Sequence, residues 1–260
     1  MAEFSRISFI GSGRVAWHLA PAMENCGVAV GEVYSRKSEN ADYLIKRLYN
    51  AAKKTNLDFT GSQSDLFIIC IADDAIEEIA REIILPDNAS LIHTSGSVSM
   101  DILSYSAATS LGVFYPLQTF SKDQKIDFRS IPVLIEASDK AIQDKLSALA
   151  KAMSKKVVQA NSNDRKIIHL AAVFASNFTN HMLTKAKYIL ESNQYDYELL
   201  KPLIAETLNK SLRMGPEAAQ TGPAKRQDLA ILEQHMELLE DDSIREIYRL
   251  ISQDIIDQYS

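Results

Sequence analysis

The most constraining feature of the chain is a glycine loop close to its start. Phe9-Ile10-Gly11-Ser12-Gly13-Arg14-Val15-Ala16 sets a GxGxxA pattern between a short apolar run, Ile7 to Ile10, and an amphipathic segment that begins Trp17-His18-Leu19-Ala20. Strand, glycine loop and helix in that order bind a dinucleotide for physical reasons. Gly11 allows the tight turn, Gly13 lets the backbone come close to a diphosphate, and Ala16 still permits close helix-to-strand packing. Unpaired N–H groups and the helix dipole then favour an anion at Gly11, Ser12, Gly13, Arg14 and Val15.

The rest of the first part supplies the sheet that such a loop needs. Runs rich in β-branched and aromatic residues recur at Val28 to Tyr34, Leu66 to Ile71, Ser90 to His93, Gly112 to Tyr115, Pro132 to Ile135 and Lys156 to Gln159, mostly separated by helical segments. This is βαβ alternation, and the unbroken apolar run at Leu66 predicts a central strand buried on both faces, with Cys70 an inert core thiol. From about Asn161 the pattern turns to helix, with apolar residues three and four apart. Seven of the nine glycines fall at or before Gly112, which marks the same change. The predicted fold is α/β, a doubly wound, mostly parallel Rossmann sheet over residues 1–160, followed by an all-helical domain over 161–260.

Composition narrows the function classes. The 46% apolar share supports a real core, and 28 basic against 34 acidic residues leave a net charge of −6, a poor footprint for nucleic acid. Cys26 and Cys70 have no CxxC partner, so neither a disulfide framework nor a metal site is expected. The start of the chain carries no long apolar leader, and no stretch approaches the roughly 18 apolar residues of a membrane span. The expectation is a cytoplasmic protein without a membrane or nucleic-acid partner.

The end of the second predicted strand selects the nucleotide. An NAD site wants a carboxylate there for the ribose 2′-OH. Glu32 is at the right count but inside the strand, whereas Ser35, Arg36 and Lys37 stand at the tip and suit a 2′-phosphate. NADP(H) is therefore the expected cofactor, with an NAD(H) site on Glu32 the weaker alternative.

Residues after the later strands would surround the nicotinamide. Ala72 and Asp73 follow one strand, and Asp74 with Glu77 has the spacing of a capping box. His93-Thr94-Ser95-Gly96 follows the next, with Thr94 and Ser95 toward the cofactor and His93 either an acid–base group or a structural histidine. Tyr115-Pro116-Leu117-Gln118-Thr119-Phe120 forms a proline-stiffened loop. On the first long helix His169, Ser176 and Asn180 share a face, with Asn177 at its edge, facing a substrate or a helix–helix network.

Together the glycine loop, the Ser-Arg-Lys tip, Asp73-Asp74-Ala75-Ile76, His93-Thr94-Ser95-Gly96, Pro116-Leu117-Gln118-Thr119-Phe120, Ala175-Ser176-Asn177 and Thr221-Gly222-Pro223 resemble a family of bacterial Rossmann-like proteins labelled NADP oxidoreductases. Their architecture is similar to that of 6-phosphogluconate dehydrogenase, ketopantoate reductase and pyrroline-5-carboxylate reductase. The resemblance implies NADP(H) on Gly11, Gly13, Ser35 and Arg36, a small-molecule substrate between the domains, and a homodimer through the helices. Hydroxyacid dehydrogenases of this group carry a Lys and an Asn one turn apart on the first helix of the second domain. Here His169 is followed by Val173 and then Asn177, so that mechanism does not transfer. Arg226 and Asp228 either bind a substrate carboxylate or cap the following helix. The expected activity is hydride transfer between nicotinamide and a small C=O or C=N group, with His169 or His93 supplying the proton and Asn177 beside them. The alternative is a non-catalytic NADP(H) sensor.

Overall fold

A computed structural model describes residues 4–260. The first part alternates β1 (Arg6–Ile10), α1 (Arg14–Asn25), β2 (Ala29–Tyr34), α2 (Ser38–Ile45), β3 (Ala52–Lys54), β4 (Leu66–Ile69), α3 (Ile76–Glu82), β5 (Ser90–His93), β6 (Ser110–Pro116), β7 (Val133–Ala137), α4 (Lys140–Met153) and β8 (Val157–Gln159). The strands form one sheet in the order β3-β2-β1-β4-β5-β6-β7-β8, antiparallel only between β6 and β7. Alternate residues feed two cores, one on each face. Phe9, Ile68, Ile92 and Phe114 point to one side, and Ile10, Phe67, Ile69 and Leu91 to the other. Strand β3, Ala-Lys-Lys on the sheet edge, has no apolar run to announce it.

The helical part follows as α5 (Ser162–Ala172), a π-helical turn at Val173–Phe178, α6 (Thr179–Ser192), α7 (Lys201–Met214), α8 (Pro216–Ala219), α9 (Leu229–Leu238) and α10 (Asp242–Tyr259). Compact packing divides the chain at Ser176 and Asn177, so α5 packs with the sheet although it stands beyond residue 160. Asn161 caps α5, Gly215 at φ +87° stops α7, and Asp241 caps α10. Asp228 caps α9 by accepting from Ile231 N–H at 3.4 Å. The capping box at Asp74 and Glu77 is not formed: α3 begins after a 3₁₀ turn without a side-chain cap, and Glu77 pairs with Arg81 instead. No helix among the described residues is long and apolar enough to cross a membrane.

Candidate active site

Where the strand order reverses, at the carboxyl ends of β1 and β4, a cleft of about 880 Å³ opens. That is the size of a cofactor site and the position where doubly wound sheets bind ligands. Gly11, Ser12, Gly13, Arg14, Val15, Ser35, Arg36, Lys37 and Ala72 all line it. Gly11 holds φ +108°, and a Cβ there would lie 2.3 Å from the Cys70 carbonyl oxygen, so glycine is obligatory. A Cβ on Gly13 would meet that oxygen at an ordinary 3.7 Å, so nothing in the protein demands glycine at this position. What Gly13 leaves open is cleft space. It is also the N-cap of α1 and offers no side chain to the first-turn N–H groups. Ser12 Oγ donates to Ser35 Oγ at 3.0 Å and ties the loop to the tip of β2.

Arg14, Arg36 and Lys37 are exposed and pair with no carboxylate among the described residues. Glu32 turns away from the cleft, accepting from Ser8 Oγ at 2.6 Å and from Ser62 Oγ. Glu32 does not line the cleft, whereas Tyr34, Ser35, Arg36 and Lys37 do, and the NAD(H) alternative loses its residue. Cys70 lies beneath the loop with its thiol pushed up to about 12 by burial, the inert core thiol expected.

Asp73, Thr94 and Ser95, expected at the cofactor, do not line the cleft; their side chains shape the neighbouring turns. Asp73 accepts from Ser97 Oγ, Thr94 Oγ1 donates to the Ile69 carbonyl at 3.4 Å, and Ser95 Oγ accepts from the Ser97 and Val98 N–H groups at 3.1 Å. Short polar side chains after a strand commonly serve their own backbone in this way.

A second cluster lies at the ends of β5 and β6. Tyr115 Oη and His169 Nδ1 share a 2.9 Å hydrogen bond with the rings edge-to-face. Gly96 packs against both: a Cβ there would stand 2.6 Å from His169 Nδ1 and 2.7 Å from Tyr115 Cζ. Burial, reinforced by the Asp73 charge and opposed by Arg165, raises the Tyr115 pKa. His93 is wholly buried, and its Nδ1 accepts from Ser95 N–H at 3.1 Å, which places the ring proton on Nε2. The Ser99 backbone lies near Nε2 but outside hydrogen-bond geometry. Burial first, and then the Arg165 charge, pull the His93 pKa down to about 4, so the ring is neutral at neutral pH.

Arg165, one helical turn before His169, fastens this cluster. It has no exposed surface, pairs with Glu136, and donates to the carbonyls of Ser95, at 3.1 Å, and Val98. Sequence reasoning missed it, together with the Tyr115 partner of His169. The available signal was helical spacing: Arg165, Ile168, His169 and Ala172 form the inward face of α5, whereas Ile167 is 67% exposed. Asn177 is exposed in the π-helical turn. Because i→i+5 bonding there lengthens the turn, the α-helical spacing that put His169, Ser176 and Asn180 on one face does not carry through.

A Bacteroides fragilis protein described as a candidate NADP oxidoreductase superposes on this chain with TM-score 0.89 at 37% identity, covering 97% of this chain and 98% of its own. The chain belongs to that NADP oxidoreductase family. Residues 6–95 of this family member match the family described as "NADP oxidoreductase coenzyme F420-dependent", and residues 131–255 match a domain of unknown function, DUF2520. A Thermotoga maritima protein shares the fold at 23% identity and TM-score 0.73, covering 97% of this chain and 98% of its own. So does a reductive aminase from Aspergillus terreus, solved with NADPH and ethyl levulinate, at 15% identity and TM-score 0.71, covering 97% and 94%. No curated protein matches the sequence.

Proposed function

We propose that this oxidoreductase binds NADP(H) in the cleft and reduces a small C=O or C=N substrate. The observation that carries the reading is the Gly11–Gly13 cradle: one glycine is required by the fold, the other leaves open cleft space that a side chain would take, and unpaired Arg36 and Lys37 stand at the β2 tip where a 2′-phosphate belongs. The A. terreus relative, with its NADPH and keto ester, agrees with that chemistry.

The bound nucleotide supplies a hydride; the chain supplies position and a proton. Arg14 and the first-turn N–H groups of α1 hold the diphosphate, and Ser35, Arg36 and Lys37 hold the 2′-phosphate. Tyr115 keeps its phenol proton at neutral pH and gives it to the substrate heteroatom, and His169 then passes a proton from Nδ1 to the phenolate as its Nε2 takes one from solvent. His93, buried and neutral, shapes the loop instead of donating. Asn177 takes no part in this proton path.

We further propose a homodimer through the helical unit. Exposed Leu199, Leu203, Leu212 and Leu250, and an apolar groove of about 390 Å³ lined in part by Met182, Ile189, Ile247 and Ile251, support it. Two free thiols suit a cytoplasmic setting.

Binding of NADPH and NADH, measured by calorimetry on wild type and Arg36→Ala, tests the nucleotide assignment. A hydrogen bond to a charged group is worth roughly 1.5 to 3 kcal/mol, so the substitution should weaken NADPH about ten- to a hundredfold and leave NADH unchanged. Equal wild-type affinity for the two overturns the assignment. Binding without oxidation across carbonyl and imine panels favours the sensor.

A further inference from the structure

The loop after β6 places one more cation on the cleft. Lys122 lines it together with Arg14 and the glycine loop, and forms no ion pair among the described residues. Its Nζ lies 4.8 Å from the centroid of the Trp17 ring, a cation–π contact at an exposed site. The loop itself is fixed at its base. His18 Nε2 and the Ser121 carbonyl are 2.7 Å apart, the His18 ring stacks on Phe120, and Phe120 packs against Phe128. A long flexible side chain thus stands on a rigid mount.

We propose that Lys122 is a nucleotide-binding residue, held on Trp17 until its ammonium moves to the diphosphate of the dinucleotide. This rests on the NADP(H) reading of the cleft. Trp17 lies one turn into α1, its N–H bonded to the Gly13 carbonyl at 2.9 Å, so Lys122 stands over the first turn of α1, where a diphosphate is held. Arg36 and Lys37 occupy the β2 tip, the place of the 2′-phosphate, which leaves the diphosphate to Arg14 and Lys122. The other charged lining groups, Asp74, Glu78 and Glu82, are carboxylates and cannot serve it. An ammonium also suits this movement, because its four-carbon stem lets a point charge swing between an aromatic face and a phosphate.

The test is calorimetric titration of wild type, Lys122→Met and Lys122→Arg with NADPH and with NADH. Lys122 is exposed, so the variants fold. Lys122→Met should weaken both nucleotides by about tenfold, because both carry the diphosphate, and Lys122→Arg should restore most of the affinity. A loss confined to NADPH assigns the lysine to the 2′-phosphate and overturns the proposal, as do unchanged constants. A wild type that binds neither nucleotide instead overturns the NADP(H) reading itself. Trp17 is the only tryptophan of the chain and gives a second readout. NADP⁺ should change its emission in wild type but not in Lys122→Met, and equal changes in the two overturn the handover from ring to phosphate.

Discussion

In the sheet unit, β4 and β5 bury every residue, and even a guanidinium, Arg165, is fully enclosed. In the helical unit, Asn177–Ser260, the buried apolar side chains are Ala224, Leu232 and Ile244, while Leu199, Leu203, Leu208, Leu212, Leu238 and Leu250 are exposed. The difference follows from geometry. A sheet covered by helices on both faces closes its own core, whereas short helix pairs present apolar stripes that need a further surface. The first unit is therefore complete enough to hold a polar network in place. The second leaves its leucines in solvent.

Three substitutions can break or sharpen that contrast. Arg165→Ala should have the largest effect, because it leaves Glu136 and the loop carbonyls buried without their partner. Losing one member of a buried pair costs about 3 to 5 kcal/mol. Chemical denaturation measures it, and hydrogen exchange should place the loosening in residues 93–99, not in α9 or α10. A loss below about 1 kcal/mol would mean the network is ornamental to the sheet unit.

His93 gives the next effect, through pH. Its folded pKa of about 4 lies below the ordinary 6.5, so the unfolded chain takes up the proton first. The stability tied to the neutral ring is complete above pH 6.5, is lost as pH falls toward 4, and does not decline further below that. The difference of pKa corresponds to roughly 3 kcal/mol over this window. Denaturation curves of wild type and His93→Gln from pH 7 to 4 should differ in slope by that amount; parallel curves would show that His93 ionises freely.

Leu212→Asp should have the smallest effect on the subunit. An exposed substitution moves stability by about 0.5 kcal/mol or less. The same change should shift a dimer toward monomer by light scattering. A large loss of subunit stability, or no shift in mass, would mean this face of α7 is not the one covered by a second copy.

The glycine loop shows how much could be read in advance. Its chemistry is local, since turn, cradle and helix N-terminus are made by adjacent residues, and all nine cleft positions expected from Gly11 to Ala72 line the cleft. The same locality explains the correct cap at Asp228. The side chains of Asp73, Thr94 and Ser95 serve neighbouring turns, and this is not legible in the sequence, which puts them after their strands but does not say which way a short side chain turns. The inward face of α5 is hard to read for a related reason. Ile167 looks like core by hydropathy, yet Arg165 is the residue that goes inside, because Glu136 and two loop carbonyls await it from other strands.

Sequence alone determined the doubly wound sheet, the glycine cradle, the basic tip at Ser35-Arg36-Lys37 and the change to helix after Asn161. Each rests on periodicity or on residues within one turn of each other. Tertiary structure alone decided that Glu32 meets the Ser8 and Ser62 hydroxyls outside the cleft lining, that His93 is sealed and neutral, that His169 is joined to Tyr115 across 54 positions, and that Lys122 stands on the cleft beside Trp17. Those depend on which distant side chains meet, and on the burial that sets their charge.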